Sequence, residues 1–77
     1  MPKKIVVYHS PGCAPCHSAM NFLTKNGYPF ESKDIAVDEK AAEDLMALGS
    51  MGTPTIVVDG KVMVGFNPPA LLKLLQS

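Results

Sequence analysis

The sequence predicts an α/β domain with the element order β-α-β-α-β-β-α, and three features of it carry that expectation. Gly and Pro cut the chain into short segments whose apolar patterns alternate between strand and helix. Asp59-Gly60 separates two β-branched runs, the composition of a tight hairpin turn. Cys13-Ala14-Pro15-Cys16 follows directly on the first strand and opens the first helix. A strand, a helix and a second strand imply a parallel pair with a right-handed crossover, while the hairpin is antiparallel. The four-stranded sheet is therefore mixed.

The first strand is Lys4 to Tyr8, a β-branched and aromatic run ended by Ser10-Pro11-Gly12; it lacks strict alternation and so reads as buried. From Ala14 to Asn26 the pattern is helical, with Cys16, Met20 and Leu23 at i, i+4 and i+7, Ala19 and Phe22 beside them, and Gly27 as the stop. His17, Asn21, Thr24 and Lys25 form the opposite, polar stripe, which puts Cys16 on the buried side of the first turn and Cys13 at its exposed tip. Pro29 to Ile35 is a second strand whose Glu31, Lys33 and Asp34 suit a sheet edge. Asp38 caps a helix running to about Leu48, with Ala41, Ala42, Leu45 and Leu48 inward and Gly49 ending it. Thr55 to Val58 and Lys61 to Val64 are the hairpin strands. Asn67 caps the last helix, Pro68 to about Gln76, in which Leu71, Leu72, Leu74 and Leu75 supply the packing side.

A chain of 77 residues holds a single domain, residues 1–77. A domain of this size buries roughly 60% of the surface its unfolded chain exposes, and the 47% hydrophobic and 18% charged content suits a compact core. Seven lysines balance seven acids without a single arginine, which argues against a nucleic-acid partner, since phosphate contacts call for a basic surplus. The apolar run Ile5 to Tyr8 is too short for a signal peptide and far short of a membrane helix, so a cytoplasmic location and no membrane contact are expected; a monomer is expected as well. Two cysteines at one short spacing are too few for a secreted disulfide scaffold, and their purpose reads as chemical.

At a helix start, unpaired N–H groups and the helix dipole favour an anion, so Cys13 is the expected nucleophile, acting as its thiolate. Cys16 lies within bridging distance but turns inward, away from outside reagents, which makes it the resolving thiol. Other readings of the same residues stand beside this one. Both cysteines could be small core hydrophobes, although a Cys at an exposed tip buries little. Cys13 to His17 also spells C-x-x-C-H, the c-type haem attachment pattern, but haem would need export and a large apolar pocket. Two thiolates are half of a zinc site, which His9, His17 or a second chain would have to complete. No metal ligand is assigned: the redox reading needs no cofactor beyond the Cys13-Cys16 disulfide. The rival function is a metal-binding or metal-sensing module using the two thiolates.

Tyr8-His9-Ser10-Pro11-Gly12-Cys13-Ala14-Pro15-Cys16 after a strand, then Gly52-Thr53-Pro54-Thr55 and Gly65-Phe66, resembles the glutaredoxin family of thioredoxin-like fold over essentially the whole chain. Within that family the sequence is most similar to small glutaredoxin-like proteins and NrdH-type redoxins, which share the Gly-Phe pair after the last strand. The resemblance implies strand order 2-1-3-4 flanked by three helices, a cis bond before Pro54, and a Thr53 backbone that pairs with substrate beside Cys13. It implies a substrate groove formed by Pro11, Gly12, Ala14, Pro15, Thr53, Pro54, Gly65 and Phe66. It also implies a dithiol-disulfide oxidoreductase acting on protein disulfides and restored by a thioredoxin-reductase-like flavoprotein or by glutathione. A cis Pro54 makes physical sense, because X-Pro is the only common cis bond. Met51 reads as loop filler or a flexible partner contact, and Gly52 as the residue that lets its loop approach the site closely.

The sequence also departs from the family. Many glutathione-using members carry a Lys shortly before the first Cys, and a Gly-Gly turn with a following acid after the last strand. Here Ser10 and Gly65-Phe66-Asn67 stand in those places, and Pro68-Pro69 removes two backbone donors from the start of the last helix. These departures predict weak glutathione binding and reduction mainly by a flavoprotein, with Lys33, Lys61 or other backbone groups left to compensate.

Overall fold

Four consecutive apolar or aromatic residues, Ile5 to Tyr8, leave a strand no face to give to water, and the chain buries all four. In the computed structural model, which describes residues 3–49 and 52–76, they form β1 (Ile5–His9) at the centre of the sheet. On one edge β1 runs parallel to β2 (Glu31–Asp34), and on the other antiparallel to β3 (Thr55–Val58), which pairs in turn with β4 (Lys61–Val64). The order β2-β1-β3-β4 is the one the resemblance implied.

Alternation along the strands sends side chains to two layers. Ile5, Val7, Ile56 and Val58 pack with Ala19 and Leu23 of α1 (Ala14–Lys25) and with Leu71 and Leu75 of α3 (Pro68–Gln76). Val6 and Tyr8 pack on the other face with Ala41 and Leu45 of α2 (Glu39–Ala47), with Ile35 and Val57 half-buried beside them. One face thus carries α1 and α3, the other α2.

Local chemistry explains the boundaries. Asp59 and Gly60 both take positive φ, 48° and 84°, as a two-residue turn matched to strand twist requires. The Asp38 carboxylate accepts the Ala41 N–H at 3.1 Å, and the Asn67 side-chain oxygen accepts that of Ala70 at 3.3 Å, so both expected caps are present. Gly49 ends α2 at φ 80°.

Three expectations shift. β1 begins one residue later than Lys4, whose N–H donates to the Asp59 carboxylate at 2.8 Å. β2 is shorter than Pro29 to Ile35, because Phe30 packs into the α1/α3 layer and Pro29 has no N–H to give. Leu48 is not part of the buried side of α2: it is the C-cap and stays 39% exposed, and Ala42 is half-buried, since a nine-residue helix seats only Ala41 and Leu45 on the sheet. Among the described residues no helix is long and apolar enough to cross a membrane.

Leu23, fully enclosed between α1 and the sheet, sets a stability test. Leu23→Ala is expected to lower the unfolding free energy by about 2–5 kcal/mol through the cavity it leaves. Leu48→Ala is expected to cost less than about 1 kcal/mol, as a substitution at an exposed position. Urea unfolding of both variants checks the contrast.

Candidate active site

β1 ends at His9, and the chain must turn through Ser10, Pro11 and Gly12 to enter α1. Gly12 makes this turn at φ 73°, a region open to glycine and strained for other residues. Cys13 then serves as the N-cap of α1 in an extended conformation, and its Sγ accepts the Cys16 N–H at 3.2 Å. Ser, Thr, Asp or Asn usually fills such a position; here a sulfur takes the helix-end donor.

Cys13 and Cys16 are joined as a disulfide, with Cα atoms 5.2 Å apart. Cys16 is 1% exposed against the sheet, as its place in the helical pattern predicted. Cys13 is half-buried and not fully at an exposed tip, because its sulfur folds back over the first turn. Pro11, Gly12, Ala14 and Pro15 around it are exposed.

Facing this segment is the loop that leads into β3. The Thr53-Pro54 bond is cis, as the resemblance implied. Hydrogen bonds hold the loop. The Thr55 hydroxyl donates to the Gly52 carbonyl at 2.7 Å, the Gly65 N–H donates to the Pro54 carbonyl at 2.7 Å, and the Ser10 and Thr53 hydroxyls are bonded at 2.9 Å. Among the described residues the Thr53 backbone N–H and C=O have no partner. The loop is thus fastened around one residue whose main-chain donor and acceptor are both open. Gly52 does not serve close approach, since a Cβ there would meet nothing within 4 Å. Met51 lies outside the described residues.

Gly65 takes φ 84° beside Pro54, and the Phe66 ring packs edge-to-face on Phe22 of α1, with centroids 5.7 Å apart. At the start of α3, Pro68 and Pro69 bring no N–H, the Ala70 N–H goes to the Asn67 side chain, and the Leu71 N–H goes to the Asn67 carbonyl at 2.8 Å. Residues 68–70 at the start of α3 thus keep no free N–H for an incoming anion. Ser10 to His17, Thr53, Pro54 and Gly65 to Pro69 include no Asp, Glu or Lys, while Asp38, Glu39, Glu43 and Asp44 gather at α2 on the other face of the sheet.

The residues the sequence singled out thus fall into two facing groups, the Cys13 segment and the Pro54 loop, with Gly65 tied to the second. Sequence reasoning read Ser10 as part of a strand stop and as an absent lysine, and missed its bond to Thr53. His17 is exposed on the polar stripe of α1. No three of the described His, Cys, Asp and Glu residues come together to hold a metal ion, so the rival metal site would need ligands from another molecule.

A mixed sheet of order 2-1-3-4 flanked by three helices, with a cysteine pair capping the helix that leaves its central strand, defines a thioredoxin-like redox protein. The chain belongs to the glutaredoxin family, whose model, described as glutaredoxin, matches residues 5–63. It is 32% identical over 74 residues to an uncharacterized glutaredoxin-like 8.6 kDa protein in the rubredoxin operon of Clostridium pasteurianum, covering 95% of this chain and 99% of that one. The crystal structure of the thioredoxin-like protein BC3987 superposes with a TM-score of 0.90 at 40% identity, over 94% of this chain and 100% of that one. The glutaredoxin-like NrdH-redoxin of Escherichia coli gives 0.84 at 27% identity, over 92% and 93%.

The cap geometry leads to a titration. In the reduced protein the Cys16 N–H and the α1 dipole are expected to favour the Cys13 thiolate, with titration below the free-thiol value of about 8.5. Iodoacetamide alkylation followed against pH by mass spectrometry is expected to modify Cys13 before Cys16, with its half-maximal rate below that value.

Proposed function

We propose that this protein is a dithiol-disulfide oxidoreductase that carries electrons to protein disulfides, with Cys13 as nucleophile and Cys16 as resolving thiol. The observation that carries the reading is the cap: Sγ of Cys13 receives a helix-end N–H, while its disulfide partner is enclosed. The Cys13 thiolate attacks one sulfur of a substrate disulfide, forming a mixed disulfide and expelling the other sulfur as a thiolate. Cys16, on losing its proton, attacks Sγ of Cys13, forms the Cys13-Cys16 disulfide and releases the second substrate thiolate. Two electrons and two protons from a reductant restore the dithiol. Only the two sulfurs take part, without metal or prosthetic group, and the cytoplasm, where thiols are kept reduced, suits the cycle.

The open Thr53 peptide favours substrates presented as extended protein segments, which pair through their main chain. Pro11, Gly12, Ala14, Pro15, Pro54, Gly65 and Phe66 complete the groove in this reading. For the reductant we favour a thioredoxin-reductase-like flavoprotein over glutathione. Residues 68–70 at the start of α3 keep no free N–H, and no Lys stands among Ser10 to His17, Thr53 and Pro54, which disfavours a grip on the carboxylates of glutathione. The E. coli NrdH-redoxin, which shares this architecture, is described as having a thioredoxin-like activity profile.

Two experiments check these assignments. Cys16→Ser is expected to accumulate a disulfide-linked partner that reducing agents release, and Cys13→Ser is not; trapping by Cys13→Ser would reverse the roles. In steady-state assays with one reductant at a time, turnover is expected with NADPH and thioredoxin reductase and to be slower with glutathione and glutathione reductase. Saturable turnover with glutathione, and none with thioredoxin reductase, would refute the choice of reductant.

A further inference from the structure

The paired register of β1 and β3 stops at Tyr8 opposite Thr55. Continued by two residues, it sets Ser10 opposite Thr53. At that point the chain leaves the sheet through Pro11 and Gly12 toward Cys13, and no backbone hydrogen bond joins Ser10 to Thr53. A side-chain bond takes its place: the two hydroxyls, 43 residues apart in sequence, meet at 2.9 Å in a half-buried setting, where either can donate.

The substitution of a side-chain bond for a ladder bond has a chemical effect. A backbone pair at this position would consume the N–H and C=O of Thr53. The hydroxyl pair holds the two segments together and leaves both groups open. Its role also differs from that of the other two tethers of the loop. Thr55 holds Gly52 from within the same loop, and Gly65 holds Pro54 from the β4 side. Among the three, only Ser10 reaches from the Thr53 loop to the segment that carries Cys13.

We infer that Ser10 is a positioning residue for protein substrates: its hydroxyl clasps Thr53 and so sets the Thr53 peptide at a fixed place relative to the sulfur of Cys13. The inference rests on the oxidoreductase reading above and extends it to substrate selection. A protein segment must satisfy the Thr53 peptide and present its disulfide to Cys13 at once, so it feels the clasp. A small disulfide with no main chain to pair needs Cys13 alone and does not.

The test compares two disulfides, insulin and 5,5′-dithiobis(2-nitrobenzoate), with the full chain reduced by a constant supply of reductant. For Ser10→Ala, kcat/KM on insulin is expected to fall about three- to tenfold, the range a single hydrogen bond supports, with the change in KM and the small-disulfide rate unaltered. Thr53→Val removes the same bond from the other side, is expected to reproduce the loss, and serves if Ser10→Ala fails to fold. The double variant is expected to be no slower than either single one, since one interaction cannot be lost twice. Unchanged insulin kinetics in Ser10→Ala, equal losses on both disulfides, or losses that multiply in the double variant would each overturn the inference while leaving the oxidoreductase reading in place. Failure of the unaltered protein to reduce insulin would overturn both.

Discussion

Because β1 is hydrogen-bonded along both edges and covered on both faces, its C-terminal end cannot shift without the whole sheet shifting. The site is built from that end. Parallel pairing brings the end of β2 alongside it, and antiparallel pairing brings the start of β3 to the same place. Ser10, next after His9, and Thr53, two residues before β3, therefore meet although 43 positions of sequence separate them. The buried run Ile5 to Tyr8 is thus a condition of the chemistry as well as of the fold.

Two helix starts carry opposite chemistry. α1 begins with a sulfur that receives a backbone N–H, so its end is open to negative charge on that sulfur. α3 begins with two prolines, and the next N–H is taken by the side chain of Asn67. The end of α1 thus offers a helix-end donor to a sulfur, whereas residues 68–70 at the start of α3 keep no free N–H.

Much of this was legible in the sequence where the cause is local. The hairpin appears at Thr55–Val58 and Lys61–Val64, as read, because Asp59-Gly60 dictates a turn without reference to the rest of the chain. Asp38 and Asn67 announce their helices for the same reason. The strand order and the cis bond were reached through family resemblance, since no periodicity encodes them. What stayed hidden depends on distant partners. Phe30 has the composition of a strand residue, but its ring belongs to the α1/α3 layer. Leu48 fits an apolar stripe that the short α2 does not carry down to the sheet. Ser10 and Thr53 are ordinary polar loop residues until the register of β1 against β3 is known.

The closure of α3 also determines how the protein responds to its surroundings. A barrier made of like charges weakens as salt rises and changes as groups titrate. Proline rings have no such dependence: the hydrogens are missing from the covalent structure, and the amide of Asn67 carries no charge to titrate. The lack of N–H donors at Pro68 and Pro69 is therefore the same in dilute and concentrated salt, and across the pH range in which the fold survives.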